Sequence, residues 1–539
     1  MNNRPLILVS LLLAAFAINL DTTIVNVALP TLVRELHATN SQLQWIVDAY
    51  NLVFAALLLA AGSLSDRLGR KGMLLAGLGL FGLSSALGGF AANSGQLIAA
   101  RCLMGLGAAM VFPSTLSLIS NVFTERGERA RAIGLWGATA GIAIALGPIV
   151  GGWLLGRFSW ASIFFALAPV AAIAAALVAR YVPSSRDPDV RPIDRPGFAL
   201  STASIGLIVY TIIEAPDYGW SSARSIAGFA LGLGLLAAFI ATERRASDPM
   251  LDVRLFKNPR FAAACAAVTV SFFTLLGFIF VMTQYFQFIK RYDALSAGVH
   301  LLPVAVSVGV SSVLGTKLAL RFGTKLVVAS GLLMVTAFYV WVAAIVAPGN
   351  AYSTIAIQMV LYGTGMGLTS APATEAIMGV VPRGKAGVGS AVNDTTRLLG
   401  GTLGVAVIGS VYASIYGSRL SSSLPGGLPH AAGALAHSSV GAALGLAKQL
   451  TGAGHAALGG AVEQAASGAF IKGLSAGCVV AAVAAAGGAV VAAALLPAQP
   501  IELGDDALAA GAIGFGERAN PVSSRDDELS EKTIEGASR

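Results

Sequence analysis

The sequence predicts an all-α integral membrane protein of fourteen transmembrane helices, two six-helix bundles plus two inserted central helices. Three observations carry this prediction. Of 539 residues, 55% are apolar and only 12% charged, with a mean hydropathy of +0.75; soluble chains carry about 25% charged residues, so lipid must solvate most of this one. Apolar stretches of about 20 residues, the length that crosses a bilayer, recur along the chain. Finally, Leu64-Ser-Asp66-Arg67-Leu-Gly69-Arg70-Lys71 nearly returns 254 residues later as Leu318-Ala-Leu320-Arg321-Phe-Gly323-Thr-Lys325, with leucine, arginine, glycine and lysine in register.

Most spans have a basic residue near at least one end. Helix 1 (6–29) lies between Arg4 and Arg34, and helix 2 (44–62) between Arg34 and Arg67. A compact charged turn at 62–71 leads to helix 3 (73–92) and helix 4 (96–120), which ends before Arg126. Helix 5 (131–155) ends before Arg157 and helix 6 (159–180) at Arg180. Helices 7 (197–213) and 8 (225–242) are set off by Arg195, Arg224 and Arg244. Helix 9 (261–288) runs from Arg260 to Lys290, and helix 10 (297–319) ends at the degraded copy of the charged turn. Helices 11 (326–346), 12 (353–373), 13 (386–412) and 14 (470–496) complete the set. With the N-terminus inside, 25 of the 35 Lys and Arg fall in cytoplasmic segments and 8 in outer loops, as the positive-inside rule requires; Arg101 and Arg397 lie within helices. Both termini are therefore expected in the cytoplasm.

Two further landmarks repeat: Arg126-Gly127 with Arg383-Gly384, and Gly105-Leu-Gly107 with Gly363-Thr-Gly365. The predicted division is an N-terminal bundle at 1–182, a linker with two extra helices at 183–260, a C-terminal bundle at 261–496 and a tail at 497–539. A same-sense duplication of this kind is the plan of a transporter built from two halves. The Ala-, Gly- and Ser-rich segment 414–469 is read as an outer loop, and its His430, His437 and His455 as solvated. Its weakly apolar part, 440–462, is too glycine-rich for a crossing. The tail, with nine acids and four bases, is expected to be disordered. No cleavable signal peptide is expected, the first apolar run being too long.

The net charge of +8 is spread over many short loops, so nucleic acid is not an expected partner. Cys102, Cys265 and Cys478 lack disulfide or metal spacing and read as small buried hydrophobes. With no P-loop, zinc motif or Ser/His/Asp set in a fitting context, neither ATP-driven transport nor enzymatic hydrolysis is supported.

Ionisable side chains inside a bilayer are costly and functional by default. Asp21 lies within helix 1 in Leu20-Asp-Thr-Thr-Ile-Val-Asn26-Val-Ala-Leu-Pro30, with Asn19 just before it. Asp21 either carries a proton as access alternates or forms a permanent pair with Arg101 of helix 4 that fixes packing. Asp394 and Arg397, three residues apart, share one face of helix 13 and either act in coupling or satisfy one another. Glu375 lies near the inner end of helix 12 and is a weaker proton site. Asp48 and Tyr50 sit near the outer end of helix 2, where a hydrated or capping Asp48 competes with a substrate contact. In helix 5, Gly147-Pro148-x-x-Gly151-Gly152 suits a pivot or seal between bundles, because small residues allow close approach and proline removes a hydrogen bond. Phe272, Phe273, Phe278, Phe280, Tyr285 and Phe286, with Gln284 and Gln287, make helix 9 rich in aromatics and amides; most of the aromatics are expected to face lipid or core and a minority to line a pocket for flat, lipophilic molecules.

These motifs together resemble the major facilitator superfamily, and within it the fourteen-helix drug:proton antiporter branch (EmrB/QacA type), over about 16–496. Asp66, Arg67 and Arg70 match the signature loop between helices 2 and 3. Leu97-Ile-Ala-Ala-Arg101-Cys-Leu-Met-Gly105-Leu-Gly107 matches the helix 4 motif, whose arginine is linked to proton transfer. Gly147-Pro148-x-x-Gly151-Gly152 matches the helix 5 antiporter motif, and Leu20 to Pro30 the helix 1 motif of drug exporters. The resemblance implies export of lipophilic, often cationic compounds from a bacterial plasma (inner) membrane, driven by the proton gradient without a cofactor. It implies partners limited to small substrates, protons and lipid, and a monomer. Proton coupling falls to Asp21, Arg101, Asp394 and Glu375, and gating to Asp66, Arg67, Arg70, Gly147, Pro148 and Gly151. Substrate contacts fall to Asn19, Asn26, Asp48, Tyr50, Gln284 and Tyr285. The second copy departs from the pattern at Leu320, which predicts a weaker latch there. Alternatives are a dedicated exporter of one metabolite or lipid, and a non-transporting receptor or scaffold; the buried charges argue against the latter.

Overall fold

The computed structural model describes residues 3–185, 194–246, 249, 251, 253–380, 386–425 and 428–496. The predicted tail at 497–539 and the side chain of Asp66 lie outside them. Those described are helical almost throughout. The helices are α1 (Arg4–Ile24), α2 (Leu29–Glu35), α3 (Asn40–Leu68), α4 (Arg70–Gly89), α5 (Ser94–Val122) and α6 (Arg126–Leu155). Then come α7 (Ala161–Tyr181), α8 (Arg195–Tyr218), α9 (Ala223–Arg245), α10 (Pro259–Gln284), α11 (Ala294–His300) and α12 (Leu302–Phe322). The last are α13 (Thr324–Ile345), α14 (Tyr352–Met378), α15 (Ala386–Ser423), α16 (His430–Ser438), α17 (Val440–Gly452) and α18 (Ala456–Leu495).

Among the described residues, twelve helical stretches are long and apolar enough to cross a membrane. The predicted spans 44–62 and 353–373 fall on α3 and α14, which are 29 and 27 residues long but are not among the twelve. The predicted outer loop at 414–469 is corrected: α15 and α18 extend into it from either side, with α16 and α17 between them. Alanine favours helix strongly enough to offset the scattered glycines. Helix 1 is also not one rod. After Ile24 the chain tightens to a 3₁₀ turn at Val25–Ala28 before α2, and α10 ends in a π-helical turn at Tyr285–Ile289.

The repeat in the sequence is a repeat of geometry. The predicted turn at 62–71 contracts to a single residue: Gly69 ends α3 with φ +111° and ψ 122°, and α4 begins at Arg70. Gly323 does the same between α12 and α13 with φ +88° and ψ 148°. In each copy the glycine N–H closes the preceding helix, Gly69 on Ser65 O at 3.0 Å and Gly323 on Ala319 O at 2.9 Å. A side chain is strained at such a φ. Gly69→Ala and Gly323→Ala are each expected to lower the unfolding midpoint by an amount corresponding to about 1–3 kcal/mol, read by thermal melting in detergent; unchanged melting would show that the hinge relaxes freely.

The same pairing governs helix packing. α5 packs against both α3 and α4, and α14 against both α12 and α13. Elsewhere α1 packs on α6 and α7, α10 on α15 and α14, and α18 on α13, α15 and α17. The inserted α8 and α9 pack on each other, and α8 also touches α3 and α15.

Candidate functional site

α1, α3 and α5 bring three of the expected residues together. Arg101 Nη1 donates to Asp21 Oδ2 at 2.5 Å, and both side chains are fully shielded from solvent. Arg101 Nε donates to Ile46 O at 2.9 Å, and the guanidinium lies 4.3 Å from the centroid of the Tyr50 ring. Tyr50 Oη in turn donates to Ile18 O at 2.9 Å, one turn before Asp21. The aromatic face and the carboxylate thus hold the cation from two helices while its stem rises from a third. The pair is incomplete: Asp21 Oδ1 and Arg101 Nη2 have no hydrogen-bond partner. One free acceptor and one free donor thus remain on a fully buried pair, where a proton or a polar group gains most.

The other candidates form separate groups. Asp394 is buried on α15 with Arg397 Nη1 at 3.9 Å, so the two meet as the spacing predicts. Arg397 Nη2 also donates to Thr374 Oγ1 at 3.1 Å, and its guanidinium stands 5.3 Å from the Phe272 ring centroid. Glu375, which follows Thr374 on α14, is exposed. Of the two roles expected for Asp48, the hydrated or capping one does not hold: Asp48 is fully buried, and Thr39 with Gln42 caps α3. Neither Asp48 oxygen has a hydrogen-bond partner.

Three amides of the substrate set turn back on their own helices: Asn19 donates to Ala15 O, Asn26 to Thr22 O and Gln284 to Phe280 O. Tyr285 Oη donates to Ala347 O at 2.9 Å beyond the end of α13. Sequence reasoning missed the aromatic group of Phe278, Phe338, Tyr339 and Tyr362, with centroid separations of 4.8–5.8 Å, because it spans three helices. This group adjoins a small apolar cleft that Ile408 and Cys478 also line.

The glycine-proline motif of α6 packs closely against α1 and α11. Thr23 donates to Ile144 O at 3.0 Å, and a methyl group at Gly151 would lie 2.9 Å from the Ile24 side chain. On the opposite flank a methyl at Gly152 would meet Ala294 O at 2.5 Å, and Gly298 of α11 abuts the Pro148 carbonyl. Gln287 donates to Val27 O at 2.9 Å, and Ser410 of α15 to Gln44 Oε1 of α3 at 3.3 Å. At the Gly69 hinge, Lys71 Nζ donates to Ala179 O at 2.8 Å and Arg70 N to Ser185 O at 3.0 Å, tying α4 to the end of α7.

A profile of the Major Facilitator Superfamily matches residues 11–405. The multidrug efflux pump LfrA of Mycolicibacterium smegmatis is 36% identical over 456 residues, 85% of this chain and 86% of that one. The multidrug resistance protein Stp of Mycobacterium tuberculosis is 35% identical over 414 residues, 77% of each chain. A bacterial homolog of the human lysosomal transporter Spinster, solved inward-facing and unoccupied, superposes with a TM-score of 0.62 over 91% of this chain and 98% of its own, at 15% identity.

Proposed function

Because this chain belongs to the major facilitator superfamily, we propose that it is a proton-coupled multidrug exporter of the fourteen-helix antiporter branch. It moves lipophilic, often cationic compounds outward across a bacterial inner membrane by alternating access. The efflux pumps it resembles over most of its length support the direction and class of transport. α3 and α14 supply the two crossings beyond the twelve, and the charge distribution supports cytoplasmic termini and a linker bearing α8 and α9 between two bundles.

The observation that carries proton coupling is the buried Asp21–Arg101 pair with its unpartnered carboxylate oxygen and unpartnered guanidinium nitrogen. When Asp21 takes a proton, the ion pair loses its attraction and Arg101 is left to Ile46 O and the Tyr50 ring. Closure then depends on which state the surrounding helices present. α1 carries this change directly to the seal, since Thr23 and Ile24 lie within one turn of Asp21 and against Gly147 and Gly151. With the N-terminus inside, that seal is on the outer face. Arg67 and Arg70 then lie on the cytoplasmic side, where an electrostatic latch is remade in each cycle.

The test is accumulation of a fluorescent lipophilic cation in inverted vesicles under an imposed pH gradient. Uptake is expected to follow the gradient and to stop when an ionophore dissipates it. Accumulation that survives collapse of the gradient would sink proton coupling.

A further inference from the structure

A polar cavity of about 420 Å³ opens where α3, α8, α15 and α16 meet. Thr39, Ser41 and Gln44 line it from α3, Asp217 from α8, Ser414 from α15 and His437 from α16. Two of these four walls come from elements outside the repeated helices: the inserted α8 and the short α16. Gln44 forms its floor, almost fully buried and accepting from Ser410 Oγ at 3.3 Å.

Asp48 lies one helical turn below that floor, about 6 Å farther along α3. Its direction from the α3 axis falls between those of Gln44, which meets α15, and Trp45, whose Nε1 donates to Glu214 of α8 at 2.9 Å. Around this seam Val209, Ile212 and Ala406 are buried, with Leu403 and Val407 packed against them. The carboxyl is therefore enclosed beneath apolar side chains with two unpartnered oxygens. Burying an ionised carboxylate without a donor costs several kcal/mol, so the group needs a proton or a cation on it.

We propose that the cavity is an aqueous port that delivers protons to Asp48 from the membrane face on which α16 lies, separately from the Asp21–Arg101 pair. Gln44 is the gate: its amide separates the port from the acid, and breaking its contact with Ser410 lets water reach the carboxyl. The inserted helix α8 gains a function by this reading, as one wall of the port. The charged groups on the packed elements are otherwise engaged or remote. Glu214 of α8 is held by Trp45, Arg101 of α5 is paired with Asp21 of α1, and Arg34 of α2 bonds Thr31 before α3 begins. α15 brings hydroxyl and apolar side chains at this level. Asp217 and His437 stand on the cavity wall itself. The inference rests on the transporter reading, but its test does not require transport.

In a variant with Cys102, Cys265 and Cys478 replaced by alanine, Ser418→Cys places a single thiol on the exposed cavity wall. Infrared spectra of the reconstituted protein are expected to show a protonated-carboxyl band that Asp48→Asn removes and Asp48→Glu restores at a shifted frequency. The band should exchange readily in D₂O. Attaching a bulky, membrane-impermeant trimethylammonium thiosulfonate to the thiol introduced at position 418 should slow that exchange about tenfold, because the water path is filled. The proposal is overturned if Asp48→Asn removes no band while the protein elutes as the folded parent does, or if the plug leaves exchange unchanged. It is also overturned if a lipophilic cation bound to the Ser418→Cys variant shields its thiol from the reagent, which would make the cavity a substrate site. Absence of proton-driven efflux with the exchange result intact would instead remove the transport reading and leave the port.

Discussion

Asp21→Asn is expected to abolish proton-driven efflux, lowering it by about tenfold or more, while substrate exchange in the absence of a gradient persists. Asparagine keeps the shape of the side chain and an oxygen for Arg101 Nη1, but cannot bind and release a proton. The substitution has a second, separable cost. Arg101 is fully buried and would lose its counter-charge, and breaking a buried pair from one side costs about 3–5 kcal/mol. Replacing both partners by apolar residues removes that penalty, so Asp21→Leu with Arg101→Met is expected to melt within about 1 kcal/mol of the parent and still lack coupling. These two variants separate the roles of the pair. If coupling survives in Asp21→Asn, the ion pair only fixes packing; if the double variant melts as low as Asp21→Asn, the aromatic and carbonyl contacts of Arg101 hold the site without the charge.

That pair was legible in the sequence because intramembrane charge is rare enough for an acid on one helix and a base on another to imply each other. The Asp394–Arg397 contact followed in the same way from helical spacing. The enclosure of Asp48, though the residue itself was singled out, was not legible. Its burial depends on α8 and α15 closing over α3, and the sequence carries no sign of which face of α3 they cover. The extension of α15 and α18 into 414–469 was obscured by composition, since glycine suggests a loop while alanine, more abundant there, builds helix once neighbouring helices support it. The charged turn at 62–71 was placed correctly but over-drawn: one glycine with positive φ makes the whole reversal. The π turn at Tyr285–Ile289 leaves no local signature, because its aromatic residues suit an ordinary helix as well.

The duplicated glycines predict a second loss of folded protein. A methyl group at Gly105 would lie 2.5 Å from Tyr50 O of α3, and one at Gly107 2.8 Å from Phe81 N of α4. In the second copy a methyl at Gly363 would lie 2.6 Å from Val304 O of α12, and one at Gly365 2.5 Å from Gly331 O of α13. The obstructing atoms are backbone in all four cases, so relief requires a whole helix to move. Within lipid, close approach of this kind supplies much of the attraction between helices. Gly105→Ala and Gly363→Ala are therefore each expected to destabilise by about 1–3 kcal/mol, measured as midpoint shifts in detergent, and the two shifts should be alike because Tyr50 and Val304 occupy equivalent positions in the repeat. Their consequences for transport should differ. Gly105 presses on the backbone of Tyr50, whose ring supports Arg101, whereas no charged pair lies behind Val304 among the described residues. At matched amounts of folded protein, Gly105→Ala is expected to lose more proton-driven efflux than Gly363→Ala. Equal losses would mean that the close approach serves packing alone and that the charged site tolerates movement of α3.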